Sequence, residues 1–231
     1  MPVTWNSNVL GTVAKLPPGA SATPVRERLR AQALDIARAE SLGQVFLSYS
    51  VVPLAEPSSG NYRAGILRAG GESFDAPRLV PEQGELTALA FGVCTLGRGL
   101  EERVSTLLTE RRASVALALD ELGNRMLSEG SYRLRKRLLL DATKRGLCVS
   151  GELRPGDPGL ALEAQHAVLR LAHAEKIGVT ATRTLQLTPL KSLSVIYGVG
   201  PGLPPAWWSR CDECRSREKC AAVRGSLMTV A

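Results

Sequence analysis

Aromatic residues are scarce in this chain. Its 231 residues include three Trp, four Tyr and three Phe, so aliphatic side chains have to fill the core. A chain of this length is large enough to bury one. No apolar run approaches the length needed to cross a bilayer, which excludes an integral membrane protein built on helical spans. The opening residues Met1-Pro2-Val3-Thr4-Trp5-Asn6 show no basic region followed by an apolar stretch. No secretory signal is therefore expected, and the chain reads as cytoplasmic. Low-complexity tracts are absent, and 44% hydrophobic with 22% charged residues is a globular composition. There is no Walker loop, nucleophile elbow or zinc-protease helix, so nothing points to a hydrolase.

What is present begins with charge. The formal net charge is +7, which suits nucleic acid, an anionic cofactor or an acidic protein partner without choosing among them. Residues 125–145 carry seven Arg or Lys against two acids, with Arg133, Arg135, Lys136 and Arg137 interleaved with Leu134, Leu138 and Leu139. That stretch is either a solvated helix face or a docking patch.

Patterning along the chain predicts an α+β fold with interleaved helices and strands. The first two dozen residues, with Pro17-Pro18-Gly19, read as an extended lead-in. Residues 25–41 read as a helix with Leu29, Ala33, Ile36 and Ala37 on one face. Residues 44–54 alternate as a strand, and 62–69 are expected to pair back on it as a hairpin. Residues 86–96 form a nearly unbroken apolar run, short enough for a buried strand. Helix is expected from 100 to 144, interrupted at Arg111-Arg112 and stopped by Gly146. Residues 147–153 read as a strand, Asp157-Pro158 as the start of a helix to Lys176, and 184–188 and 192–199 as the last strands of the sheet. His166 and His173 are expected on one face of that helix, as surface or packing residues. The expected organisation is an N-terminal helix and hairpin region over 1–85, a core over 86–206 and a cysteine-rich metal-binding segment over 207–231.

Three constellations can carry chemistry. The strongest is Cys211, Cys214 and Cys220, spaced Cys-x2-Cys-x5-Cys. Thiolates this close in sequence can surround one metal centre, and soft sulfur ligands select zinc or an iron–sulfur cluster. Arg210, Arg215, Arg217, Lys219 and Arg224 flank them, and cations lower thiol pKa values and offset thiolate charge. A fourth ligand is needed, and Cys148, just before a Gly-Pro-rich loop, is the choice. Cys94, inside the apolar run, reads as a core residue. The second constellation is the loop Arg154-Pro155-Gly156-Asp157-Pro158-Gly159. Backbone N–H groups at the start of a following helix can receive an anion or cofactor carboxylate, unless the loop is only a rigid turn. The third is the segment Lys191-Ser192-Leu193-Ser194, where polar groups enter an apolar strand and Ser192 and Ser194 share a face. An amphipathic edge strand explains it equally well.

Together these pieces resemble the activation domain of cobalamin-dependent methionine synthase, in its short, separately encoded form. The resemblance is carried by Thr95-Leu96-Gly97, Leu119-Asp120-Glu121-Leu122-Gly123-Asn124, Pro155-Gly156, Leu162-Glu163-Ala164-Gln165 and Ile177-Gly178-Val179. Its most specific part is Pro189-Leu190-Lys191-Ser192-Leu193-Ser194, then Gly198-Val199-Gly200 and the terminal cysteines. It implies a curved mixed or antiparallel sheet with long helices, facing a corrinoid-binding methyltransferase module. It also implies that S-adenosylmethionine is bound and that inactive cob(II)alamin is reduced and remethylated. Two departures stand out: the long form's Arg-x-x-x-Gly-Tyr-Pro signature is missing, and the short form's Ser-Pro-Gly-Tyr-Gly-Asp loop lacks its tyrosine here.

Reduction of cob(II)alamin needs a low-potential electron, which favours a 4Fe-4S cluster over zinc for the four cysteines. The leading expectation is an iron–sulfur accessory protein that reductively activates a corrinoid-dependent methyltransferase. Arg154, Pro155, Gly156, Lys191, Ser192 and Ser194 would line its cofactor-facing surface, with S-adenosylmethionine as a methyl donor. Whether it is an enzyme in its own right is left open. The alternative is a zinc-binding structural module in a basic nucleic-acid-binding protein, against which stands the absence of any known reader motif. A third reading reuses the fold as an interaction domain with a structural cluster.

Overall fold

The strand over Ala88–Thr95 is buried at every position, so both of its faces must be covered, and the architecture follows from that. The computed structural model describes residues 2–16, 23–56 and 65–204. The Cys211, Cys214 and Cys220 group lies outside them, as does Pro17-Pro18-Gly19. In chain order the elements are β1 (Val3–Asn8), α1 (Leu10–Ala14), α2 (Pro24–Ala39), β2 (Gln44–Pro53), β3 (Ile66–Ala69), β4 (Glu72–Asp75) and β5 (Ala88–Thr95). Then come α3 (Gly99–Thr109), α4 (Ala113–Thr143), β6 (Cys148–Leu153), α5 (Gln165–Leu171), β7 (Thr180–Ala181), β8 (Leu187–Thr188) and β9 (Ser192–Gly200).

The main sheet is antiparallel throughout, in the order β1-β2-β5-β9-β6. Alternation along each strand sends side chains to two cores. On one face Leu47, Cys94, Val195 and Tyr197 meet Leu119, Met126, Leu134 and Leu138 of α4, with α1 and α2 beside it. On the other, Leu89, Phe91, Val93 and Ile196 meet Phe74 of the β3–β4 hairpin and Val168 and Leu171 of α5. Burying each such side chain stabilises by about 1.5–3 kcal/mol. Two glycines let α4 lie close on the sheet. A Cβ on Gly130 would stand 2.6 Å from Val45, and one on Gly92 would stand 2.8 Å from Leu134.

Local signals explain the helix ends. Thr23 accepts a hydrogen bond from the Arg26 N–H and Pro24 opens α2. Gly146, at φ +68°, ends α4, with the Leu147 N–H bonded to Ala142 O and the Gly146 N–H to Thr143 O. The helical territory breaks at Arg111, whose φ is +59°, as the Arg-Arg interruption suggested.

Five expectations need correction. The N-terminal residues are more than a lead-in, since β1 is a full edge strand of the sheet. Of the segment expected to pair back on residues 44–54, Ile66–Ala69 does not run along β2: β3 turns through Gly70 and Gly71 to pair with β4, and one bridge, Leu54 to Ala69, joins it to the end of the preceding strand. Residues 184–188 do not finish the main sheet, because β8 pairs with β7 in a separate two-stranded ribbon. Asp157 does not start a helix. Its carboxylate accepts from the Arg154 N–H and closes a turn, and α5 begins at Gln165 after a 3-10 turn over Leu162–Ala164. His173 lies beyond α5 at φ +55°, so it does not continue the face of His166.

Candidate functional site

Where α4 crosses the sheet beside β6 and the start of β9, it leaves an open groove of about 480 Å3. Residues at helical spacing on α4 (Asn124, Ser128, Ser131, Tyr132 and Arg135) form one wall. Glu152 and Arg154 of the β6 edge form the other, and Ser192 and Leu193 of β9 lie along it. Two residues apart, Glu152 and Arg154 point the same way, while Leu153 between them is buried in the opposite core. Gly151, at φ +73°, sits in the register shift between Ser150 and Leu153, and a Cβ there would stand 2.5 Å from Leu79. The resulting bulge aims both charged side chains into the groove.

The groove is electrically mixed. Arg154 Nη2 donates to Glu152 Oε1 at 3.0 Å and approaches Ser131 Oγ at 3.5 Å, while Arg154 Nε is buried without a hydrogen-bond partner. The hydroxyl of buried Tyr197 lies 3.5 Å from Glu152 Oε2. Burial pushes its phenol strongly up, so Tyr197 stays protonated. Beneath the floor, Cys94 is fully buried with its Sγ 4.0 Å from Leu127 O, and desolvation pushes its thiol up to about 12. It is a core residue at neutral pH, as its sequence setting suggested.

The residues singled out from sequence separate into distinct places. Arg154 and Ser192 line the groove, and Lys191 stands at its Asn124 end. Lys191 Nζ is 2.8 Å from Asp120 Oδ1 and 2.7 Å from Asn124 Oδ1, so its charge is committed to α4. The Ser192 hydroxyl sits 2.7 Å from Thr95 Oγ1 and 2.6 Å from Pro189 O. Ser194 does not reach the groove: it lies further along the face that carries the Ser192 hydroxyl, in the core towards α5, and exchanges hydrogen bonds with the Gln165 amide at 2.8 and 3.2 Å. Pro155 and Gly156 follow Arg154 in a turn whose N–H groups are used internally, Gly156 to Leu160 O, Asp157 to Arg154 O and Leu160 to Asp157 O. With no helix starting there, the expected helix-end cradle for an anion is not formed. Glu152, Ser131 and Tyr132 escaped the sequence reading, although the 124-128-131-132-135 spacing was visible there.

Cys148 is exposed at the first position of β6, opposite Gly200 at the end of β9. β9 ends beside it, and Cys211, Cys214 and Cys220 follow in sequence, outside the described residues. Among the described residues no group of three or more His, Cys, Asp or Glu side chains is placed to hold a metal. No described helix is long and apolar enough to cross a membrane.

No family model and no curated protein matches this sequence. Among solved structures, the chain superposes on the MetH reactivation domain bound to AdoHcy with a TM-score of 0.60, over 97% of this chain and 87% of that one, at 13% identity. This chain is similar in fold to that domain. At that identity the likeness is one of fold, and it agrees with the α+β architecture expected from the sequence.

Proposed function

We propose that this chain is an accessory protein that reductively activates a corrinoid-dependent methyltransferase, with an S-adenosyl ligand in the α4/β6/β9 groove. The observation that carries the reading is the fold likeness, over nearly the whole chain, to a domain whose structure contains AdoHcy. The donor set fits such a ligand. Arg154 suits the carboxylate of its amino-acid end, and Glu152 suits the ammonium group. Polar side chains along α4 suit the remaining hydroxyl and ring-nitrogen groups, and the size is that of ordinary small-molecule sites. Pro155 and Gly156 hold the turn that follows Arg154, and Lys191 braces the loop before β9 against α4.

Cys211, Cys214 and Cys220, with Cys148 as fourth ligand, would hold a 4Fe-4S cluster. That cluster supplies single low-potential electrons, and S-adenosylmethionine supplies the methyl group. The exposure of Cys148 beside the end of β9 supports its assignment. The partner is a corrinoid-binding methyltransferase module. Titration calorimetry with S-adenosylhomocysteine tests the groove. The wild-type chain binds, and Arg154→Ala weakens binding about tenfold or more through loss of a charge-assisted contact. Absence of binding by the wild-type chain would remove the S-adenosyl part of the proposal.

A further inference from the structure

The C-terminal half of α4 carries an exposed stripe that meets the groove only at Tyr132 and Arg135 and runs on beyond it. Residues 132–146 contain Arg133, Arg135, Lys136, Arg137, Lys144 and Arg145, with Asp141 the sole acid. Arg133 is spent on Glu129, Ser7 and the backbone carbonyl of Asn8. Asp141 is also spent: it accepts from the Tyr49 hydroxyl and from Arg137, and lies 3.7 Å from Lys144. Tyr132, Lys136, Leu139 and Leu140 face away from buried Leu134 and Leu138. Tyr132 is 60% and Leu140 53% exposed. The stripe therefore joins solvated aliphatic surface to cations of one sign, and it ends where exposed Cys148 opens β6.

We infer that this stripe docks an acidic protein surface that presents an aliphatic residue among its carboxylates. Charge complementarity selects the acidic partner. The leucines favour protein over nucleic acid, because a phosphate backbone offers nothing to bury Leu139 and Leu140 against. The inference rests on the reading of this chain as an activator of a protein partner, and it places that partner next to Cys148.

The test uses the full chain, purified without oxygen, and two labelled probes: a glutamate-rich peptide with a central leucine pair, and a DNA duplex of similar charge. The peptide binds, more weakly at high salt, and loses about tenfold in affinity with Lys136→Glu and again with Leu140→Ser. DNA binds no tighter than the peptide and ignores Leu140→Ser. Lack of peptide binding, or binding unaffected by both variants, overturns the inference. Tighter DNA binding that Lys136→Glu abolishes would make this a nucleic-acid face. A concentration-dependent dimer dissolved by Leu140→Ser would make a second copy the occupant. Iron and sulfide content measured in parallel separates the two ideas. A chain without a cluster defeats the redox reading and leaves the peptide result standing, whereas a normal cluster without peptide binding defeats only the docking.

Discussion

The two faces of the main sheet put polar residues to opposite uses. Towards α5, Ser194 is closed off by Gln165, just as Ser48 and Ser50 of β2 donate to the carbonyls of Ala172 and Leu171 and fix that helix's end to the sheet. Towards α4, the charged pair Glu152 and Arg154 stays open to solvent along a groove, with Arg154 Nε still unpartnered. Polarity alone does not separate a site from a structural contact. What separates them is whether the neighbouring element supplies the missing partner.

The largest expected effect removes the support that both faces share. Leu134→Ala opens a cavity between α4 and Gly92 of β5 and should cost about 2–5 kcal/mol in chemical denaturation. Next comes the contrast itself. Gln165→Ala leaves the buried Ser194 hydroxyl without its partner and should cost about 1–3 kcal/mol, with S-adenosylhomocysteine affinity unchanged. Arg154→Ala should do the reverse, losing affinity while costing less than about 1 kcal/mol of stability. If both variants changed the same quantity, the distinction between the two faces would fail.

A pH prediction sharpens the α4 side. Hydrogen bonds from Tyr49 and then Arg137 hold the Asp141 carboxyl below its ordinary value of 3.8. A depressed carboxyl stabilises the fold above its unfolded pKa and loses that contribution as pH falls through the folded value. Denaturation midpoints measured from pH 5 downward should therefore fall less steeply in Asp141→Asn than in the wild type. The smallest effect belongs to Lys191→Met. It breaks an ion pair between the largely buried Lys191 and the exposed carboxylate of Asp120, so about 1 kcal/mol should be lost in the same denaturation assay.

Much of this arrangement was legible in the residues. The apolar run ending at Leu96 announced the doubly covered strand, and Gly146 announced the end of the long helix. The parity of Ser192 and Ser194 was also readable, but which core their face meets depends on the packing of α5, which no local pattern encodes. Asp157-Pro158 carried a helix-start signal that the turn closed by its own carboxylate overrode. Gly70-Gly71 supplies the two positive-φ residues that a tight β3–β4 hairpin requires, and that local pairing prevailed over the expected pairing of 62–69 with 44–54. Glu152 became a groove residue only through the bulge at Gly151, a long-range feature of pairing with β9.

The redox claim is tested most directly by iron, acid-labile sulfide, zinc and visible absorption of the wild-type chain and Cys148→Ala, both purified without oxygen. The account predicts about four irons per wild-type chain, a broad band that bleaches on reduction, and loss of both in Cys148→Ala. A colourless wild-type protein holding a single zinc would contradict it.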